Sequence, residues 1–286
     1  MLVFKMNRMR YFITGTDTGV GKTLVASALL YRHYHPSAKL ITDGSRQLLR
    51  PLKPVACGGK VGIQDGYPVQ DDVLSLCAAS DGRFTAKDVN PIFFPLPAAP
   101  TVAARAQNTT VELNSINATM DSIQASGDIP FVEGAGGLLV PLTEKITFAD
   151  WAAEQELTAI IVSRAGLGTI NHTVLALEAA SRRNLPVSAV ILNSTSLTDT
   201  QVAAESNCAE IARVSGFDAS KIYILPYFDG NPKPKSELAV SVDSLMDLSQ
   251  ARGIQLDENV INDVRRSFAR MLQCAASSSC AGIRWD

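Results

Sequence analysis

The sequence has little of what small disulfide-bonded or zinc-stabilised domains depend on. It holds only three histidines, and two of them, His33 and His35, stand two positions apart at the end of a predicted helix, facing apart. A zinc site is therefore not expected. The five cysteines form an odd set without a C-x-x-C pair: Cys57, Cys77, Cys208, Cys274 and Cys280. This pattern favours reduced thiols in a cytoplasmic protein over a disulfide framework.

Long apolar runs and long basic runs are also missing. No apolar stretch approaches the ~20 residues that a membrane helix needs, so we expect no membrane-spanning segment. The net charge is −2 and the pI is near 6.0, which argues against nucleic acid as a partner. Residues 1–9 have no continuous apolar core and no cleavage site, so we expect a disordered leader there rather than a secretory signal.

What the sequence does contain is a phosphate-binding loop near its start, residues 15–23, with the pattern G-x-x-x-x-G-K-T. A short apolar run precedes it and a predicted helix follows it. Gly19 and Gly21 free the backbone to point successive N–H groups at an anion, and the helix dipole adds to the attraction. Lys22 can reach the β- and γ-phosphates, and the Thr23 hydroxyl can bind Mg²⁺. The loop predicts a nucleoside triphosphate site.

Apolar runs and amphipathic helices alternate along the chain. Continuous β-branched runs between such helices are typical of a parallel sheet covered on both faces, so we predict a doubly wound, mostly parallel α/β domain of the phosphate-loop NTPase type over residues 10–235. A helical C-terminal extension, residues 236–286, is expected to pack on the same domain, with a frayed end from residue 275. The predicted strands are 11–13, 51–56, 129–133, 159–162, 187–192 and 222–225. The predicted helices are 24–30, 70–77, 111–125, 148–155, 170–183, 200–214, 238–248 and 260–272, and residues 89–100 are expected to be extended and irregular.

Two acids stand out beside the loop. Glu133 ends a predicted strand, which places it at the carboxyl edge of the sheet, where ligands of open α/β sheets gather. Together with Asp72 and Thr23 it would give Mg²⁺ two carboxylates and a hydroxyl. Asp72 could equally be an ordinary helix-start acid. Lys53, flanked by apolar residues and Pro54, is either a solvated edge lysine or a lysine held in a site.

Several motifs occur in one order along the chain, and together they are more specific for a family than the phosphate loop alone. Between about residues 10 and 232 it resembles the dethiobiotin synthetase family. The motifs that carry the resemblance are the phosphate loop 15–23, Lys53-Pro54-Val55-Ala56, Val132-Glu133-Gly134-Ala135-Gly136-Gly137, Phe148-Ala149-Asp150-Trp151 and Gly168-Thr169-Ile170-Asn171-His172.

The resemblance implies a cytoplasmic, ATP- and Mg²⁺-dependent ring-closing ligase of biotin synthesis. In such enzymes 7,8-diaminopelargonate takes up CO₂ as a carbamate, a carbamate oxygen attacks the γ-phosphate of ATP, and the second amine displaces phosphate from the resulting mixed anhydride. Lys53 would be the active-site lysine, with Lys22 neutralising the γ-phosphate. The family is a homodimer, and the segment around Asn171 would reach the neighbouring protomer's site.

By the same resemblance, site residues can be assigned motif by motif. Mg²⁺ would fall to Thr23, Asp72 and Glu133, and substrate contacts to Thr18, Lys53, Cys57 and Asn171. The nucleotide contacts would be Gly19, Val20, Gly21, Lys22, Thr23, Leu24, Asp72, Glu133, Gly134, Ala135, Gly136, Asn193, Ser194, Pro226, Tyr227 and Phe228. The Asn193 amide can pair with a base edge.

The sequence also departs from the family in places. Cys57 stands where relatives often have a serine that touches the substrate, and Lys233 stands where an acid that contacts the nucleotide is common. The segment before Lys53 is longer than usual.

Two other functions share this kind of loop. Switch ATPases of the partition or division-site positioning kind carry a second lysine early in the loop, where this chain has Asp17, and no basic amphipathic membrane helix is evident. An amide-forming ligase of the cobyrinic acid diamide synthase kind would normally bring a glutaminase domain with a catalytic cysteine and histidine. Here no histidine follows His172.

Overall fold

The computed structural model of the chain describes residues 10–34, 48–59, 61–64, 66–195, 201–225, 227 and 284–285. Within them the strands are β1 (Tyr11–Gly15), β2 (Leu49–Leu52), β3 (Val55–Cys57), β4 (Val61–Gln64), β5 (Tyr67–Gln70), β6 (Ile92–Phe94), β7 (Ile129–Gly137), β8 (Thr158–Arg164), β9 (Val187–Asn193), β10 (Ile222–Leu225) and β11 (Arg284–Trp285). The helices are α1 (Lys22–Tyr34), α2 (Asp71–Ala79), α3 (Ala86–Val89), α4 (Pro100–Ala106), α5 (Leu113–Ala125), α6 (Phe148–Glu154), α7 (Thr169–Ser181) and α8 (Gln201–Ser215), with a 3₁₀ turn at Ala219–Lys221.

The main sheet has six parallel strands in the order β10-β9-β8-β1-β7-β2. Strand β1 lies in the interior between β7 and β8, so the loop that follows it opens at the carboxyl edge of the sheet. The predicted parallel α/β fold is confirmed. Five of the six predicted strands, and the helices predicted between residues 111 and 214, are present with boundaries that differ by at most a few residues.

Two apolar layers cover the two faces of this sheet. Because successive strand residues point to opposite faces, Phe12 and Val132 belong to one layer, while Ile13 and Phe131 belong to the other. Helices α5, α6 and α7 contribute side chains to the first layer, and α1 and α2 to the second. Burial on both faces explains why these strands have continuous apolar sequences rather than alternating ones.

Helix α6 shows how the sequence fixes a local boundary. Thr147 accepts a hydrogen bond from the backbone N–H of Asp150, and the Asp150 carboxylate accepts one from the backbone N–H of Thr147. Arg183, just after α7, donates to the other oxygen of Asp150 at 2.7 Å. The capping box starts α6, and the hydrogen bond from Arg183 joins α6 to the end of α7.

The structure differs from the sequence-based prediction around Lys53. The predicted strand 51–56 is two strands, because β2 pairs with β7 whereas β3 pairs with β6 in a separate two-stranded sheet. Pro54 has no backbone N–H to donate, and it lies at the break between them.

Other differences lie nearby. Between the predicted strand 51–56 and the predicted helix 70–77, where no strand is predicted, the chain forms the antiparallel hairpin β4–β5. The region expected to be irregular contains β6 and leads into α4, whose first residue is a proline, a position that suits it.

The predicted extension 236–286 lies outside the described residues except for β11. This short strand pairs with β4, so a strand lies where a frayed end was expected. The predicted helices 238–248 and 260–272 fall outside the described residues and stay predictions. In the described part of the chain, no helix is both long and apolar enough to span a membrane.

Candidate active site

The phosphate loop runs from the end of β1 into α1. Gly19 has φ +70° and Gly21 has φ +96°, a left-handed region that favours glycine. Lys22 is buried, and its Nζ donates to the backbone carbonyl of Asp17 at 2.9 Å, so the side chain folds back over the loop. The strand, loop and 13-residue helix are therefore arranged as an anion-binding site requires.

A cluster of charged and polar side chains lies beside the loop. Lys53 Nζ is 2.7 Å from Glu133 Oε1 and 2.9 Å from Asp72 Oδ2. Thr23, in the first turn of α1, donates its hydroxyl to the same Glu133 oxygen at 2.8 Å. Four predicted site residues from distant parts of the chain are thus brought together.

Burial makes this cluster electrostatically unusual. Glu133 is 1 % exposed and Lys53 is 3 % exposed. Burial raises the pKa of Glu133, although Lys53 opposes the shift. Burial alone would lower the pKa of Lys53, but the Glu133 and Asp72 carboxylates outweigh it and the pKa is raised. Burial likewise lowers the pKa of Lys22, and Glu133 opposes it.

Asp72 is the more accessible acid, with 35 % of its side chain exposed. Burial would raise its pKa, but the charge and hydrogen bond of Lys53 hold it below the usual value. Lys53 therefore bridges one fully buried acid and one that faces solvent.

The donor atoms suit a hard divalent cation. Glu133 Oε2 is buried and has no hydrogen-bond partner among the described residues, so one acceptor of this acid is left for a ligand. With Asp72 and the Thr23 hydroxyl it forms an all-oxygen set of the kind Mg²⁺ prefers. The described residues contain no cluster of three or more His, Cys, Asp or Glu side chains that could hold a metal by themselves.

The glycine segment after Glu133 lies against the loop. Strand β7 continues to Gly137, which pairs with Gly15. Gly136 has φ +66°, and a side chain there would come within 2.9 Å of Val140 and 3.7 Å of the Thr18 hydroxyl. Gly136 can adopt this conformation because it lacks a side chain. The predicted nucleotide contacts of Gly134, Ala135 and Gly136 stay predictions.

Asn193, at the end of β9, holds the loop in a way that the sequence did not reveal. It is 5 % exposed, and its Nδ2 donates to the backbone carbonyl of Val20 at 2.9 Å. A side chain on Gly21 would come within 2.2 Å of this nitrogen. The predicted pairing of Asn193 with a base stays a prediction, and its amide nitrogen is engaged with the loop.

The remaining predicted site residues are more scattered. Ser194 is buried and its N–H donates to the Leu225 carbonyl at 2.8 Å, while Pro226 and Phe228 lie outside the described residues and Tyr227 lies within them. Leu24 is half-buried in α1, and Thr18 is exposed on the loop.

Cys57 and Asn171 lie at the ends of two other elements. Cys57 is half-buried at the end of β3, and burial raises the pKa of its thiol to about 11. Asn171 is exposed in the first turn of α7, four positions after the fully exposed Leu167. A neutral thiol at Cys57 can donate a weak hydrogen bond but is not a charged contact.

Strand β8 adds further contacts that the sequence analysis missed. Arg164 donates to Asp17 Oδ2 at 3.3 Å and to the Thr18 carbonyl at 3.2 Å. Thr16 donates its hydroxyl to Ser163 at 3.1 Å, and Ser163 lies 3.1 Å from the Thr169 hydroxyl. These contacts are made by Ser163 and Arg164, the last two residues of β8, which lie beyond the predicted strand end at residue 162. Their position at the carboxyl edge of the sheet was the available signal.

Comparisons with known proteins agree with this picture. A family model described as an AAA domain matches residues 9–225. An ATP-dependent dethiobiotin synthetase from Anaeromyxobacter sp. (strain Fw109-5) is 42 % identical over 205 residues, covering 72 % of this chain and 85 % of the relative. Proteins of the same name from Baumannia cicadellinicola and Halalkalibacterium halodurans are 37 % and 34 % identical, covering 67 % and 76 % of this chain and 80 % and 84 % of the relatives.

Among solved structures, a ParA family ATPase from Chlorobium tepidum aligns with 90 % of this chain and 98 % of its own. The TM-score is 0.41 and the sequence identity 16 %, a likeness too weak to carry a conclusion.

Proposed function

This chain belongs to the ATP-dependent dethiobiotin synthetase family, and we propose that it closes the ureido ring of dethiobiotin from 7,8-diaminopelargonate, CO₂ and ATP. It is an ATP-dependent ligase of biotin biosynthesis. The observation that carries the proposal is the buried Lys53, whose ammonium lies within 2.9 Å of both Glu133 and Asp72 beside a phosphate loop.

The chemistry balances without an oxidant or reductant. One amine of the diamine forms a C–N bond with CO₂ and loses a proton, giving a carbamate. A carbamate oxygen then bonds to the γ-phosphorus of ATP as the bond to ADP breaks, giving a carbamic–phosphoric mixed anhydride. The second amine attacks the carbamoyl carbon, phosphate leaves with the bonding electrons, and the new urea nitrogen loses its proton.

The protein's main task in phosphoryl transfer is positioning and charge neutralisation. The backbone N–H groups from Gly19 to Leu24 would bind the phosphates, and Lys22 would leave the Asp17 carbonyl to reach the transferred group. Lys53 would neutralise the carbamate and the mixed anhydride. Its ion pairs with Glu133 and Asp72 keep it charged although it is buried.

We further propose that Mg²⁺ is the cofactor and that Thr23, Asp72 and Glu133 hold it. Bound there, it would neutralise phosphate charge during transfer. The support is the unpaired Glu133 Oε2 and the all-oxygen donor set.

We also propose that the substrate is contacted by Thr18, Lys53, Cys57 and Asn171. The last of these would act in the neighbouring protomer's site of a cytoplasmic homodimer. The base would lie between Asn193-Ser194 and the segment 226–228.

The testing experiment is a reconstitution of the reaction. The purified chain is mixed with ATP, Mg²⁺, bicarbonate and the diamine, and mass spectrometry follows the cyclic urea while ADP release is measured with and without the diamine. Lys53→Ala is expected to lower ring closure roughly 10²–10³-fold and to leave ATP binding intact. Lys87→Ala, an exposed lysine on α3, is the matched control and is expected to match the wild type. ATP hydrolysis that is equally fast without the diamine, with no cyclic urea formed, would refute the ligase proposal.

A further inference from the structure

Lys53 lies at a point where the sheet gives its backbone no partner. Strand β2 ends at Leu52 in its pairing with β7, and β3 begins at Val55 in its pairing with β6. A backbone between two strands is normally mobile unless other groups satisfy its N–H and C=O. What holds Lys53 there therefore decides where its ammonium points.

Both backbone groups of Lys53 are held by the last residue of α3 and the residue that follows it. The Lys53 N–H donates to the Val89 carbonyl at 2.8 Å. The Lys53 carbonyl accepts a hydrogen bond from Asn90 Nδ2 at 2.7 Å, and the same nitrogen donates to the Ile92 carbonyl at 2.8 Å. Asn90 thus joins the break in one strand to the start of another.

Asn90 is itself firmly held. It is 1 % exposed, its N–H donates to the Ala86 carbonyl, and its own carbonyl accepts a hydrogen bond from the Tyr67 hydroxyl of β5. Asn90 donates both hydrogens of one planar nitrogen to two different carbonyl oxygens, which requires an amide on a side chain as short as that of asparagine. A carboxylate has no hydrogen to offer, and alanine would leave both carbonyls without this donor.

We infer that Asn90 is a positioning residue for the reaction: by binding the Lys53 carbonyl it fixes the Lys53 ammonium between Asp72 and Glu133. The inference rests on the proposed function for its catalytic consequence. It concerns a residue that binds the backbone of Lys53 and not its ammonium.

The test uses the full chain and two independent readouts. The first is the rate at which acetic anhydride acetylates Lys53, measured by peptide mass spectrometry without nucleotide. In Asn90→Ala we expect Lys53 to react about fivefold faster or more, since its ammonium is no longer held in the buried pair. The second is steady-state kinetics, in which we expect kcat for ring closure to fall about 10- to 100-fold. The Kd for ATP should stay within about twofold of the wild type.

Asn117→Ala is the matched control. It truncates the same side chain, whose Oδ1 accepts a hydrogen bond from Trp151 Nε1 at 2.9 Å, on a different helix from the site residues. It should change neither readout. Equal changes in Asn117→Ala and Asn90→Ala would show a general loss of stability and overturn the inference. So would a folded Asn90→Ala with wild-type acetylation and wild-type kcat.

If Asn90→Ala does not fold, Tyr67→Phe is used instead, and the acetylation rate of Lys53 and kcat are measured in the same way. Removing this hydroxyl loosens Asn90 without touching its amide. Faster acetylation with a lower kcat supports the inference, and no change in either overturns it. If the wild type makes no cyclic urea, the proposed function fails, while the acetylation rates still decide whether Asn90 holds Lys53.

Discussion

Replacing Lys53 by methionine removes the ammonium from between two acids while keeping most of the side-chain volume. Glu133 would then be a buried carboxylate without its closest cation. Removing one partner of a buried ion pair typically costs 3–5 kcal/mol. Asp72 is partly exposed and can be rehydrated, and Lys22 lies near enough to compensate Glu133 in part, so we expect a loss of about 3 kcal/mol in the free energy of unfolding.

The second variant, Glu133→Gln in the same chain, separates charge from packing. Because the uncompensated charge is gone, Lys53→Met/Glu133→Gln should recover about 2 kcal/mol of what Lys53→Met loses, measured through the full double-mutant cycle. Guanidinium unfolding at pH 7 in EDTA without nucleotide, followed by the fluorescence of the buried Trp151, measures all four proteins.

The same loss should appear on heating as a fall of roughly 6–12 °C in Tm for a chain of this size. A Lys53→Met protein within about 0.5 kcal/mol of the wild type would refute the reasoning. So would a double variant that is less stable than Lys53→Met, because the buried charge would then not be the source of the loss.

Three further predictions follow from separate parts of the structure. Gly21→Ala should abolish detectable ATP binding by calorimetry, because the new side chain meets Asn193 and the φ of +96° is strained; unchanged affinity would contradict this. Asp150→Ala should lower stability by about 1–2 kcal/mol at pH 7, through loss of the Thr147 cap and the Arg183 pair. Burial alone would raise the pKa of Asp150, but the Thr147 cap and the Arg183 pair outweigh it and hold the pKa below its usual 3.8. The stabilisation is therefore present above pH 3.8 and is lost as the pH falls below that value. A loss of stability in Asp150→Ala that persists at about pH 2 would contradict this. Chelation of Mg²⁺ by EDTA should stop ring closure and excess Mg²⁺ should restore it, whereas activity in EDTA would exclude the metal role.

The architecture of the sheet could be predicted because it depends on local patterns. Buried parallel strands are apolar throughout and amphipathic helices separate them. The predicted strands 159–162 and 187–192 therefore differ from β8 and β9 by at most two residues at either end. The phosphate loop could be predicted for the same reason, since strand, glycines and helix are adjacent in sequence. The prediction that Glu133 ends its strand is wrong, because β7 continues to Gly137, but Glu133 does lie beside the phosphate loop, where it accepts a hydrogen bond from Thr23.

The remaining features depend on contacts between distant segments. The break at Lys53-Pro54 looks continuous in sequence, because only the change of partner from β7 to β6 separates the two strands. Helix α4 begins at Pro100, the last residue of the stretch expected to be irregular, because proline is well suited to a first helical position. Asn193 could pair with a base or with backbone, and only the spatial closeness of Val20 shows the second.

The central position of β1 has a consequence for synthesis of the chain. Its partner β7 lies 120 positions later, as the pairing of Tyr11 with Phe131 shows. At typical translation rates the first strand would wait roughly 6–24 s for that partner, with apolar residues such as Phe12 and Ile13 not yet covered. The apolar face of β1 therefore stays uncovered until both of its neighbours, β7 and β8, have left the ribosome.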